Sequence, residues 1–118
     1  MLIDTRSRTP QEMYRLMSGI VVPRPIAWIS TLSGAGLVNL APFSCFTFVS
    51  NSPPMIGVNI GRKAGKEKDT ARNIRRAGDF VVNIGTLSMT DLIHTSAIEF
   101  PEDESEVDAL GLETVASI

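Results

Sequence analysis

The hydrophobic positions of this chain change period several times, and each change marks an element. Met13, Leu16, Met17 and Ile20 recur at helical spacing behind Thr9-Pro10-Gln11-Glu12. There threonine can cap, proline suits the first helical position, and glutamate three residues after the cap closes a capping box. The pattern predicts a short amphipathic helix with Gly19 near its exit. Pro23-Arg24-Pro25 then keeps the backbone extended. Ile26-Ala27-Trp28-Ile29-Ser30-Thr31-Leu32 has the β-branched and aromatic content of a strand. Ser33-Gly34-Ala35-Gly36 supplies a turn, and Leu37-Val38-Asn39-Leu40 returns as the hairpin partner. Ala41-Pro42-Phe43-Ser44 is expected to break the ladder, since proline has no N–H to donate.

Phe46-Thr47-Phe48-Val49 reads as a further strand, closed by Asn51-Ser52-Pro53-Pro54, and Met55 to Ile60 as the next. A helix is expected from about Asp69 to Ala77, then a buried strand over Phe80-Val81-Val82-Asn83-Ile84. Ser88-Met89-Thr90-Asp91 is a second capping signal, opening a helix that carries Leu92, Ile93 and Ile98. Beyond it Glu99, Glu102, Asp103, Glu104, Glu106 and Asp108 form an acidic, proline-interrupted segment, read as an exposed loop. Its carboxylates lack the spacing and the glycine of a calcium loop. Leu112 to Ile118 looks like the beginning of a strand. Several strands joined by tight turns, with a few helices and no repeats, favour an antiparallel barrel over a doubly wound sheet.

Composition narrows the function classes. A chain of 118 residues with 43% hydrophobic and 20% charged residues reads as one soluble globular domain. The opening Met1-Leu2-Ile3-Asp4-Thr5-Arg6 has no basic region followed by an apolar core, and no stretch approaches the ~20 apolar residues of a membrane span. A cytoplasmic protein without a membrane role is the expectation. Cys45, the one cysteine, sits in an apolar run and is expected to be a buried, inert thiol. Trp28 is expected in the core, and His94 at a helix surface or end rather than on a metal. Ser33-Gly34-Ala35-Gly36 joins two strands instead of opening a helix, so it is not a dinucleotide fingerprint. A net charge of −2 and a pI near 5.3 argue against nucleic acid.

Against that acidic whole, seven of the eleven basic residues lie between Arg62 and Arg76. Gly61 and Gly65 loosen the backbone, Lys66 and Lys68 supply cations, and Asp69 or Thr70 can cap the helix that follows. Free N–H groups and the positive dipole end of that helix would favour a phosphate. The alternative is that Arg72, Arg75 and Arg76 are the solvated face of a short helix with Ile74 turned inward. The window by itself leaves both open.

Pro23-Arg24-Pro25-Ile26-Ala27-Trp28-Ile29-Ser30-Thr31, Asn39-Leu40-Ala41-Pro42-Phe43-Ser44-Cys45-Phe46, Ser52-Pro53-Pro54-Met55-Ile56, Lys68-Asp69-Thr70 with Asn73-Ile74, and Phe80-Val81-Val82-Asn83 together resemble the flavin reductase-like, FMN-binding split-barrel family that includes flavoredoxin. The resemblance runs nearly end to end. It implies a mainly β, antiparallel split barrel with peripheral helices, and a homodimer with FMN at the subunit interface. It also implies electron transfer from NAD(P)H to flavin and on to a free flavin or redox partner. Rival readings are a flavin-binding electron carrier without its own nucleotide substrate, and a non-catalytic dimerising fragment. By the same resemblance Ile29, Ser30 and Thr31, with Asn39, Ala41, Pro42, Phe43 and Ser44, would line the flavin ring and ribityl chain. Lys68 and Thr70 would hold the phosphate, with Arg62 a weaker candidate. Without the resemblance, Asn39 and Ser44 would be read as bonding their own backbone. The cofactor would do the redox chemistry, so no catalytic side chain is expected. The family domain continues past Gly111-Leu112, so a barrel lacking its C-terminal strands is expected, truncated or completed by exchange between subunits.

Overall fold

The computed structural model describes residues 2–101 and 103–117. Met1, Glu102 and Ile118, which enter the readings of the N-terminus, the acidic segment and the last strand, lie outside the described residues. Helix α1 (Pro10–Ile20) begins with the expected box: the Thr9 hydroxyl accepts the Glu12 N–H, and the Glu12 carboxylate accepts the Thr9 N–H at 2.8 Å. The Thr9 N–H, and the Thr9 hydroxyl that also donates to the same carboxylate oxygen at 3.0 Å, hold the Glu12 carboxyl below its ordinary value. No residue of α1 is buried. Arg24 ties its end down, donating from Nη1 to the carbonyls of Ser18 (2.6 Å) and Val21 (2.9 Å), where a cation also suits the negative end of the helix.

Two antiparallel sheets follow. Strands β1 (Ala27–Leu32), β2 (Val38–Phe43) and β5 (Val81–Asn83) form one sheet in the order β2-β1-β5, and β3 (Phe46–Asn51) pairs with β4 (Pro54–Val58) in the other. β1 is central, with Ile29 opposite Ala41 on one side and Val82 on the other. Its alternation builds two cores. Ala27 and Ile29 pack with Phe43 beneath Phe46, Val58 and Ile60. Trp28 packs with Leu40 and Val107 beneath Leu92, Ile93 and Leu112. Trp28 Nε1 donates to Ser96 Oγ at 2.8 Å, so the indole's polar atom is satisfied inside the core. Helix α2 (Asp69–Ala77) crosses β1 and β2. A 3-10 turn (Leu87–Met89) leads into α3 (Thr90–Thr95), and α4 (Glu106–Ala109) lies against β2.

Four expectations are corrected. β2 does not break at Ala41: the ladder continues with Trp28 opposite Pro42 and Ala27 opposite Phe43. The reason is parity. Val38 O and Leu40 N bond to α4 and its cap, away from β1, so the two-residue period sends the missing N–H of Pro42 to that same outer edge. The acidic segment is not all exposed loop, because it contains α4, with Ser105, Glu106 and Val107 buried. Leu112 to Ser117 form no strand. Cys45 is exposed at the tight turn between β2 and β3, where its carbonyl accepts the Asn59 N–H. Two smaller differences concern helix ends. Lys68, not Asp69 or Thr70, occupies the cap position of α2, and Ile98 is exposed beyond α3.

Candidate functional site

Thr31 and Asn39 face each other across β1 and β2, at the end of the hairpin nearest its turn. Two amide-to-hydroxyl bonds join this pair to α2. Asn39 Nδ2 donates to Thr70 Oγ1 and Asn73 Nδ2 donates to Thr31 Oγ1, each at 3.1 Å. Thr31, Thr70 and Asn73 are all buried, with Thr70 only 2% exposed. Low local dielectric strengthens such bonds and penalises their loss, so they fix the helix in one seat. Arg76 Nη2 adds a third tie, to the Leu32 carbonyl at 2.7 Å.

Seating α2 this way sets the start of the helix. Lys68, its cap residue, is exposed and holds its ammonium 5.4 Å from the centre of the Phe43 ring. Among the described residues the start of α2 has no side-chain cap bond. Most of the neighbouring bases are already engaged. Arg62 Nη1 donates to the Gly65 carbonyl at 3.2 Å, Lys63 pairs with Glu99, Arg72 with Asp69, and Arg75 with Glu67 at 2.7 Å. Among the described residues no ion pair engages Lys68. The basic window therefore resolves into a mostly internally paired loop and helix; among the described residues the Lys66 and Lys68 ammoniums are left without an ion pair, and Lys68 is the one at the helix start. That donor set suits an anion.

The sequence-predicted residues divide between the two faces of the sheet. Thr31, Asn39, Ala41 and Phe43 lie on the α2 side with Thr70 and Lys68. Ile29 lies there too, but its side chain is wholly inside the apolar cluster. Ser30 turns to the other face, where its hydroxyl accepts from Asn83 Nδ2 at 3.1 Å. Pro42 and Ser44 line an open cleft of about 340 Å³ with Ile26, Thr90, Ile93 and His94. Ser44 Oγ accepts from Arg24 Nε at 3.4 Å rather than bonding its own backbone. Asn39 likewise reaches Thr70, not its own turn. Arg62 stays on its own loop. Thus Thr31, Asn39, Phe43, Lys68 and Thr70 come together, while Ser30, Pro42, Ser44 and Arg62 do not join them.

Asn73 and Arg76 carry much of this arrangement and were not singled out for it. Asn73 follows Thr70 by three residues, which puts both on one face of α2, and that spacing is the signal for it. Glu106 offered no such signal. Its Oε2 accepts the Leu40 N–H at 2.9 Å. Burial pushes its carboxyl above the ordinary value, the Leu40 bond opposes that, and the charge of Asp69 pushes it further up.

Comparison with known proteins fits this architecture. Residues 17–117 match the model of the flavin reductase like domain. An uncharacterised protein of Halalkalibacterium halodurans is 44% identical over 118 residues, covering 99% of this chain and 56% of its own length. The crystal structure of nitrilotriacetate monooxygenase component B from Bacillus cereus superposes with a TM-score of 0.93 at 36% identity, over 100% of this chain and 58% of that one. A split barrel domain protein from Shewanella frigidimarina, 21% identical with a TM-score of 0.77, speaks to the fold alone and covers 98% and 59% of the two chains. The chain spans a little over half the length of these relatives. Its fold is the split barrel, and the chain belongs to the flavin reductase like domain family.

Proposed function

We propose that this chain carries an FMN site whose phosphate end is Lys68 and the start of α2, and that two copies form a reductase moving electrons from NAD(P)H to flavin. The observation that carries the reading is the exposed Lys68 ammonium, free of ion pairs among the described residues, held at an uncapped helix start. Membership of the family supports a flavin in general. The anion-suited donor set supports the phosphorylated form.

The redox chemistry between NAD(P)H and the electron acceptor would be supplied by the bound flavin, held by Lys68 and the start of α2. The side chains do the rest. Lys68 gives a point charge to the phosphate, and the first N–H groups of α2 donate beside it. Asn39 and Asn73, through Thr70 and Thr31, hold the helix so that these donors keep their direction. Phe43 packs under the lysine and limits water on one side. None of these residues needs to gain or lose a proton. One relative is by name a monooxygenase component, which supports delivery of electrons to a second protein or a free flavin. The apolar, exposed Phe48, Val49, Met55 and Ile56 of β3 and β4 support pairing of two copies.

The test is gel filtration after incubation with FMN, followed by NADH or NADPH oxidation on the flavin-bearing fractions. Co-eluting flavin with nucleotide oxidation is the expected result. Co-eluting flavin without oxidation would make the chain an electron carrier, and a folded protein that neither retains nor titrates with FMN would remove the site.

A further inference from the structure

β2 is the outer strand of its sheet, and its outer edge is occupied by side chains instead of a strand. Ser105 Oγ donates to the Val38 carbonyl at 2.7 Å, and Glu106 Oε2 accepts the Leu40 N–H at 2.9 Å. One acceptor and one donor, two residues apart on one edge, are what a neighbouring antiparallel strand would satisfy. Further along, Pro42 has no N–H to offer on that edge. Val107, next in sequence, packs on Trp28 and Leu40 and makes no bond to the edge. Both polar residues are buried, with Glu106 8% exposed, so the contact excludes water as a strand would.

We propose that Ser105 and Glu106 form a guard on this edge, and that displacing them opens β2 to β2 of a second copy. The two strands would pair antiparallel about a two-fold axis at Asn39. The edge is self-complementary under that operation: Val38 O of each copy would accept Leu40 N–H of the other, so the two groups now held by the guard would satisfy each other. An uncovered edge of this kind is a template for unwanted pairing, and the guard removes it without adding a strand. This goes beyond the flavin reading and does not depend on it.

The experiment uses the full chain, with sedimentation velocity over a concentration series and amide exchange at Val38 and Leu40 by NMR. In Glu106→Ala and in Ser105→Ala/Glu106→Ala, the Leu40 amide should exchange faster at low concentration, on the order of tenfold. At high concentration a species of twice the starting mass should form, in which that amide is protected again. Glu106→Gln keeps the acceptor while removing the same charge, and Val107→Ala loosens the packing but leaves both edge bonds. Both should match the unaltered chain. Guardless variants that keep the starting mass at every concentration while Leu40 exchanges freely would overturn the proposal. Equal association of Val107→Ala or Glu106→Gln would overturn it too. Should the double variant not fold, Glu106→Ala alone decides.

Discussion

β1 and β3 are both six-residue strands rich in apolar and hydroxyl side chains, and each is paired antiparallel. β1 is buried on both faces, while β3 is exposed along most of its length apart from the half-buried Phe46 and Ser50. Trp28 is 5% exposed and Phe48 is 70% exposed. The difference is in what covers them. Asn73 brings α2 onto one face of β1, and Ser96 and Val107 bring the later helices onto the other. No helix covers β3 and β4 in the same way among the described residues. Apolar content makes a strand, but the polar ties that seat a helix on it decide whether it becomes core.

Truncating one aromatic in each sheet gives the largest contrast. Trp28→Ala should cost about 3–5 kcal/mol, read as a lowered urea midpoint, because it removes a packed indole and leaves Ser96 without its donor. Phe48→Ala should stay within about 0.5 kcal/mol for the single chain while weakening self-association in sedimentation. Equal loss of stability in the two would place β3 in the core. Next in size is Asn73→Ala, expected to cost roughly 1–3 kcal/mol, since the buried Thr31 hydroxyl loses its donor. Ser50→Ala on the exposed sheet, where the hydroxyl only accepts the Ser52 N–H, should be nearly silent.

Glu106 sharpens the comparison through pH. Its carboxyl is raised in the folded chain, so the native state keeps the proton to higher pH than the unfolded state does. Its contribution is therefore greatest below the ordinary value of 4.5 and falls as pH rises through the raised native value. Other groups facing it in the same niche are Asp69, Arg72 and Glu104. The difference in urea stability between the unaltered chain and Glu106→Gln isolates the effect: the variant should gain relative stability as pH rises from about 4.5 toward neutrality. A difference that is flat with pH, or that runs the other way, would mean that the carboxyl is not raised in the native state. The most local effect belongs to the uncovered helix. Thr9→Ala should cost α1 about 1 kcal/mol, seen as faster amide exchange in its first turn. The global unfolding midpoint should barely move, because α1 buries no residue.

Local signals in the sequence carried much of the fold. The Thr9 capping box, the Ser33 to Gly36 turn and the β-branched run of β1 each act within a few residues, and each is where the pattern put it. Pro42 keeps its place in the ladder because its effect depends on which edge its missing N–H faces, and that parity follows from the register of β2 on β1, which no single residue type announces. α4 hid in an acidic run because burial of Glu106 is possible only once the Leu40 N–H is there to bond it. For the candidate site, Lys68 and Thr70 were legible as a charge and a cap-like hydroxyl near a helix start. The structure seats Thr70 as a buried tie to Asn39 and leaves the exposed charge to Lys68. No local pattern distinguishes those two roles, because they follow from which face of α2 meets the sheet.

The most direct measurement compares FMN with riboflavin, which lacks only the phosphate, by titration into the unaltered chain and into Lys68→Ala. The unaltered chain should prefer FMN. Lys68→Ala should lose FMN affinity by on the order of tenfold or more while binding riboflavin as before. If the unaltered chain binds the two alike, or the variant keeps the full preference, Lys68 and the start of α2 do not hold a flavin phosphate.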